Sequence, residues 1–462
     1  MRAVAAELLI LLIISSPNVA SAQTAGSSTP TPTSDHTATA KPTVADGEMV
    51  PQRFAIHGQA TLVGQGNTRF RAPYAGDNSF DGSGEVRETF DATLYLGVSP
   101  WRGLELWANP EIDQGFGLRN TLGAAGFPSA EAYKVGKKSP YFRLPRLFLR
   151  QTVDLGGSST AVKPDLNVLS SNHSSDRLTI TLGKFSVGDV FDQNRYAHDP
   201  RNDFLNWTAV SLGTFDYAAD AWGYTYGGAV ELAVGKWTGR FGVFDLSKVP
   251  NSASLEIGLR QYQAVGEVER RVTVAGHPGA IRLTAWFSRG NFARLDDAAA
   301  FGAAHGTVPD VVAVRRFRDR SGVGIDVEQE LSDRAGVFLR AGLGDGSSEV
   351  DEFTDVDRTV SGGVSITGAG WGRPADRIGI ALIANDISTA RKRFLNAGGL
   401  GILVGDGRLP NPGPELIGET YYDFAALNGV HFAADGQLIV NPGYNRDRGP
   451  VPVLALRAHA QF

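Results

Sequence analysis

The chain ends Val451-Pro452-Val453-Leu454-Ala455-Leu456-Arg457-Ala458-His459-Ala460-Gln461-Phe462. Successive side chains of an extended backbone point to opposite sides. Leu454, Leu456, Ala458, Ala460 and Phe462 therefore share one face, and Arg457, His459 and Gln461 share the other. A segment of this kind is a strand that meets an apolar medium on one side and a polar one on the other.

The same period recurs upstream. Arg87, Thr89, Asp91, Thr93 and Tyr95 interleave with Phe90, Ala92, Leu94, Leu96 and Val98. Ile281, Leu283, Ala285 and Phe287 interleave with Arg282, Thr284, Trp286 and Ser288. Val323, Ile325 and Val327 alternate with Gly324, Asp326 and Glu328, and Val337, Leu339, Ala341 and Leu343 with Phe338, Arg340 and Gly342. Sixteen such runs start near Arg53, Glu85, Leu104, Arg143, Leu178, Tyr224, Trp237, Leu255, Ala280, Ser321, Ala335, Thr359, Arg377, Glu419, Val430 and Val451. Eighteen is the alternative count.

Connection lengths separate by parity. After odd-numbered runs they are mostly long, as at 64–84, 110–142, 188–223, 290–320, 344–358 and 386–418. After even-numbered runs they are mostly short, with 154–177 a long insertion on the short side. Long loops on one rim and short turns on the other characterise transmembrane barrels, with the long loops extracellular and the turns periplasmic. In hydrocarbon every backbone N–H and C=O must find a partner, so strands span a membrane only by closing into a ring. The expected fold is all-β: a transmembrane antiparallel β-barrel over 53–462. The terminal Phe462 on its strand resembles the signature by which outer-membrane barrels are recognised for assembly.

Composition fits. The 462 residues have a mean hydropathy of −0.14 and, beyond the first residues, no apolar run near the ~20 that a spanning helix needs. Net charge is 44 − 49 = −5, so no basic excess points to nucleic acid. Zero cysteine excludes a disulfide framework, a thiol nucleophile and a Cys-ligated metal. Residues 1–22 read as a secretory signal peptide: Arg2, an apolar run from Leu8 to Ile14, and the small-x-small site Ala20-Ser21-Ala22. Residues 23–52 are rich in Thr, Ser and Pro and read as a disordered tether. An exported chain without cysteine suits the envelope of a Gram-negative cell.

Several stretches resemble the carbohydrate-selective outer-membrane porins (OprB-type). They include Asn109-Pro110-Glu111-Ile112-Asp113-Gln114-Gly115-Phe116-Gly117-Leu118 and Asn202-Asp203-Phe204-Leu205-Asn206-Trp207. Glu419-Thr420-Tyr421-Tyr422 and Gln437-Leu438-Ile439-Val440-Asn441-Pro442-Gly443-Tyr444-Asn445 complete the set. The resemblance implies a sixteen-stranded channel in the cell outer membrane that passes small sugars by passive diffusion, assembled as a homotrimer.

Parity places side chains toward the lumen. Glu105, Trp107, Glu111 and Asp113 share one face of the third run, and Arg146, Phe148 and Arg150 share one face of the fourth. Arg240, Arg282 with Trp286, Asp326 with Glu328, and Arg340 follow. Carboxylates and Arg forks can bind sugar hydroxyls, and aromatic faces offer a platform for sugar rings. The competing role for each is an ion-pair ladder that only stabilises the wall. The connections 110–142 and 188–223 are candidates to enter the lumen. By the same parity an arginine should be tolerated far better at Thr284 than at Leu283.

Two charged runs are expected to be solvated loop faces. Arg315-Arg316-Phe317-Arg318-Asp319-Arg320 could meet lipopolysaccharide phosphates, and Asp345, Glu349, Asp351, Glu352, Asp355 and Asp357 bridging divalent cations. The acidic run lacks the order of an EF-hand, so no metal site is expected, and no cofactor is implied. No GxSxG elbow, HExxH motif or P-loop occurs, so no enzyme is expected. The alternatives to a sugar channel are a general or anion-preferring porin and a secreted glycan-binding β-protein.

Overall fold

The computed structural model describes residues 49–132 and 134–462, so the signal-peptide segment and most of the tether lie outside the described residues. Sixteen strands close into one antiparallel barrel. They are β1 (Phe54–Asn67), β2 (Glu85–Val98), β3 (Leu104–Gly115), β4 (Lys137–Val162), β5 (Ser171–Phe185), β6 (Thr225–Val234), β7 (Trp237–Asp245) and β8 (Tyr262–Val274). The second half comprises β9 (His277–Phe292), β10 (Arg316–Ser332), β11 (Ala335–Gly344), β12 (Arg358–Gly368), β13 (Arg373–Asp386), β14 (Glu415–Leu427), β15 (Val430–Val440) and β16 (Val451–Gln461). Each strand pairs with its sequence neighbours, and β16 closes on β1 from Gln461 opposite Gln59 to Val453 opposite Asn67.

The terminal residue finishes this seam. Phe462 and Gly58 exchange backbone hydrogen bonds of 2.9 and 3.0 Å. A Cβ on Gly58 would lie 2.5 Å from the Phe462 ring. Glycine there lets the ring lie across the neighbouring strand, an aromatic cover for a bare backbone.

Outward parity holds around the wall. Leu94, Leu182, Leu283, Leu339, Leu382, Leu454 and Leu456 are exposed on the outside, while Thr93, Arg282, Arg340 and Arg457 are buried inside. Trp101, Trp237 and Trp371 are exposed beside the short turns, and Phe142, Phe287 and Phe317 toward the opposite rim. Two aromatic belts flanking an apolar band are the outer surface of a membrane barrel and not of a soluble β-protein.

The connections after even-numbered strands are all short, from two residues at 235–236 to eight at 163–170. The long insertion expected at 154–177 is thus corrected. It is a ribbon in which β4 and β5 remain paired to Val162 opposite Ser171. Its Ser- and Gly-rich ladder carries no apolar face, so alternation could not reveal it. The eighth strand starts at Tyr262 and not near Leu255. Gly258 and Leu259 adopt φ of 106° and 59°, and Asp245 accepts their N–H groups at 3.1 and 2.6 Å, so the extended ladder cannot pass through them. Strands β4, β5, β10, β13 and β14 begin four to seven residues earlier than their alternation.

The barrel is not an open tube. Connections 116–136, 186–224 and 345–357 fold into it and pack together. Trp207 stacks on Phe127 at 5.3 Å and meets Phe353 at 5.5 Å, joining all three. Both charged runs are corrected by this packing. Asp351, Glu352, Asp355 and Asp357 are buried, and Arg320 is buried against Asp216. Asp216 also accepts the N–H groups of Asp351 at 2.6 Å and Glu352 at 3.0 Å. Arg391 pairs with Asp355 at 3.2 Å and Asp357 at 2.9 Å, and Arg315 with Glu349 at 2.6 Å. The acidic run is therefore not a free polar surface, and the basic run is one only in part: Arg316 and Asp319 stay exposed, while Arg315 and Arg320 turn to carboxylates.

Thr284 also departs from expectation. It faces inward, but it is buried and donates to Glu267 at 2.8 Å beneath the 186–224 connection, so it is no place for an arginine. Thr179 on β5 faces open interior space instead. Leu283→Arg should cost about 2–4 kcal/mol at mid-membrane and Thr179→Arg far less. Urea unfolding from lipid vesicles measures the difference.

Candidate functional site

The inward face of β6–β11 carries one continuous belt of alternating charge. Arg240 pairs with Glu231 at 2.9 Å, Glu267 at 2.7 Å and Glu269 at 3.0 Å. Arg282 pairs with Glu269 at 3.0 Å, Asp326 at 3.0 Å and Glu328 at 3.1 Å. Arg340 pairs with Asp326 at 2.8 Å and, across the lumen, with Asp192 at 3.1 Å. Most steps are directly opposed cross-strand pairs, Glu231 and Arg240, Arg240 and Glu267, Glu269 and Arg282, Arg282 and Asp326, and Asp326 and Arg340, while Arg240 reaches Glu269 diagonally. Opposed positions on one face lie about 4.5–5.5 Å apart at Cβ, within easy reach of these side chains.

The facing wall, β2–β4, is built similarly. Glu111 accepts from Arg143 at 2.6 Å and Thr93 at 2.7 Å, and Arg143 also pairs with Asp113. Arg146 forms a two-pronged contact with Asp189 at 2.7 and 2.8 Å, and Arg150 pairs with Glu105 at 3.1 Å. Trp107 donates to the same Glu105 at 3.1 Å. Arg143 and Arg146 both face inward because the β3–β4 register shifts between them, at Asn109–Glu111.

The 186–224 connection is fastened to the belt on β10 and to β14. Asn194 donates to Asp326 at 2.9 Å and Arg195 N–H to Glu328 at 2.8 Å. Leu205 and Asn206 N–H groups donate to Glu419 at 2.5 and 3.2 Å. The 116–136 connection is held by Glu415, which accepts from Gly126 N–H at 2.8 Å, and by Gln65 and Gln437, which donate to the Pro128 carbonyl. Both candidate connections therefore occupy the barrel interior.

These loops leave a chamber of about 600 Å³ between β3–β8 and the 186–224 connection. Of the residues expected to face the lumen, Glu105, Phe148, Arg150 and Arg240 line it. Arg282, Asp326, Glu328 and Arg340 form the belt instead, with Arg340 fully buried. Trp286 packs on Phe215 with centroids 5.0 Å apart. Trp107, Glu111 and Asp113 are buried in the facing wall, and Arg146 is spent on Asp189. Alternation could not identify Arg143, Arg177, Asp192 or Arg201. A strand bulge hides the first, the paired ribbon extension the second, and a connection holds the last two. His57, His431 and His459 lie on inward parity, with His459 bonded to Thr61 at 3.0 Å and His431 to Asp423 at 2.6 Å.

Loop carboxylates respond to this packing. Burial raises Glu131 well above the usual carboxylate range, and nearby Asp91 adds to the effect against Arg201. Burial would raise Asp189 as well, yet the Arg146 guanidinium holds it below its ordinary value. Burial pushes Glu352 up to about 7 against the attraction of Lys134, 2.6 Å away. Among the described residues, His277, Glu330 and Asp333 bring ligand atoms within 4.8 Å of one another. Arg195 already pairs with Glu330 at 3.1 Å there.

Residues 77–462 match the carbohydrate-selective porin, OprB family. No curated protein matches the chain in sequence. The high-pH structure of Pseudomonas putida OprB is similar, with a TM-score of 0.68 at 16% identity over 89% of this chain and 94% of that one. The low-pH structure of the same protein aligns with a TM-score of 0.49 at 12% identity over 89% and 93%. Pseudomonas aeruginosa OccK2 in complex with glucuronate aligns with a TM-score of 0.43 at 10% identity over 88% and 98%. At 16% identity the first likeness speaks for the fold alone.

Arg340→Ala leaves buried Asp192 without its cation and Asp326 with Arg282 alone, and should cost about 3–5 kcal/mol, part of which Asp192→Asn restores in the double variant. Chemical unfolding in detergent reads both. Glu352 has a raised value in the fold, so its share of stability is complete below its ordinary 4.5 and is lost as pH rises toward about 7. The melting temperature should fall across that window, and less steeply in Glu352→Gln.

Proposed function

Because the chain belongs to the carbohydrate-selective porin (OprB) family, and so is an outer-membrane channel, we propose that small neutral sugars are the solutes it passes by diffusion. The chamber beside β3–β8 carries this reading. It combines the Arg150 fork and the Glu105 and Glu231 carboxylates with the rings of Phe148 and Phe185. Guanidinium donors and carboxylate acceptors match the hydroxyl edge of a sugar, and a phenyl face matches its C–H face. Most interior charges are already paired, so a sugar meets oriented dipoles in place of a strong net field. Fold and family are those of channels.

A second reading, an anion-preferring porin, draws on two cations of the same chamber. Arg177 donates to the Ser174 carbonyl at 3.4 Å and Arg271 to the Gly235 carbonyl at 2.8 Å, so both guanidiniums are held by backbone oxygens. Residues 1–22 serve export as a signal peptide, and 23–52 tether the barrel. Lipopolysaccharide surrounds the long-connection rim, where Arg316 is exposed. The resemblance to the family also suggests a homotrimer, which cross-linking in native membranes tests.

Planar bilayer recordings separate the readings. Glucose or maltose should interrupt the current, and Phe148→Ala should weaken that block between roughly two- and tenfold. A salt gradient should give a reversal potential near zero. A strongly anion-selective reversal potential without sugar block would favour the second reading.

A further inference from the structure

The ribbon at the end of β4 and β5 leaves the barrel wall. The last β3 partner of β4 is Gln151, opposite Leu104, and the last β6 partner of β5 is Arg177, opposite Ala233. Beyond these points the two strands have only each other. Their register shifts at Asp154–Gly156 and again at Gly156–Ser159. Gly156 and Gly157 adopt φ of 131° and 85°, a conformation that a side chain would strain. The ribbon bends at this double bulge. Asp154 sets the bend: it accepts Ser174 N–H at 2.8 Å and pairs with Arg102 at 2.8 Å.

The tip returns to the barrel. Arg150 of β4 donates to the Asn167 carbonyl at 2.9 Å, and Leu169 N–H donates to Glu105 of β3 at 3.2 Å. Gln461 of β16 donates to Asp165 at 3.4 Å, and Gln52 N–H to the Ser170 carbonyl at 2.9 Å. These contacts run from β3 and β4 to β16, along the rim that bears the short turns. Leu169 is 1% exposed and sits in the interior apolar cluster with Phe185 and Val187. A hairpin hanging free in solvent would not bury a leucine.

We propose that this ribbon is a strap across the periplasmic mouth, and that the chamber above it is a holding station for one small neutral sugar. The inference rests on the sugar-channel reading and adds where the sugar waits. Val162, Leu166, Asn167 and Val168 of the strap form one wall of the chamber, and Asp189, Gln193 and His198 of the 186–224 connection form another. Its volume of about 600 Å³ lies within the roughly 300–1,000 Å³ of small-molecule sites. Phe148 and Phe185 present tilted rings 6.2 Å apart, and Arg177, Glu231 and His173 supply polar groups around them. Cations and carboxylates are both present, which suits a neutral polyol better than a dianion.

Two variants test the strap in planar bilayers with glucose and maltose as probes. One replaces Gly157–Ser174 with a two-residue Asn-Gly turn. The other, Leu169→Asp, keeps the ribbon and undocks its tip. Heat-modifiable migration confirms that each barrel is closed. Both variants should show higher open-channel conductance, and the sugar residence time should fall roughly tenfold, an effect on the off-rate. Wild-type conductance and residence times in both variants, with sugar block intact in the unaltered protein, would overturn the strap and the station together. Loss of sugar block in the unaltered protein would instead strike the sugar reading, while a conductance rise on truncation would still support the strap.

Discussion

The peptide group's need for a hydrogen-bond partner in hydrocarbon underlies this molecule. An unpaired N–H or C=O in the bilayer costs several kcal/mol, so no strand can be left at an edge. Closure is therefore required, and it is made where β16 meets β1. The aromatic terminus takes part in it directly, through paired backbone bonds with Gly58 and a ring laid over that glycine. Once the ring is closed, each strand separates two media, and alternation follows as a consequence.

The same logic, inverted, governs the interior. Charges drawn into a confined space need partners, and the barrel supplies them by register. The belt from Glu231 to Arg340 is made mostly of directly opposed residues on neighbouring strands. Asp192 then couples the belt to the 186–224 connection, so the wall and the inserted loop are one electrostatic unit. Such a unit fixes loop position tightly. It also removes most of the strong net field that a wide, charged pore would impose on solutes.

Function follows from what the packing leaves open. Three connections converge on the Trp207 ring cluster and fill much of the barrel, and the remaining space lies against β3–β8. There the lining mixes aromatic faces, guanidinium forks and carboxylates in near balance. That mixture matches the proposed hydroxyl-rich, uncharged cargo through many weak contacts, which suits a channel whose cargo must also leave.

The sequence by itself determined the barrel. Strand number, the sense of each face and the rim on which long connections lie follow from a period of two and from connection lengths. Leu283 and Arg282 could be assigned to opposite sides because oil and water impose opposite demands on adjacent residues. Tertiary structure alone decided the interior. Whether Arg340 meets a solute or Asp192 depends on a partner almost 150 positions away, and a local pattern holds no trace of it. The Arg143 bulge, the burial of the acidic run and the ribbon hidden within 154–177 were closed to sequence for the same reason. Each is settled by which distant backbone comes alongside, and periodicity reports only the medium a residue faces, never the neighbour it finds there.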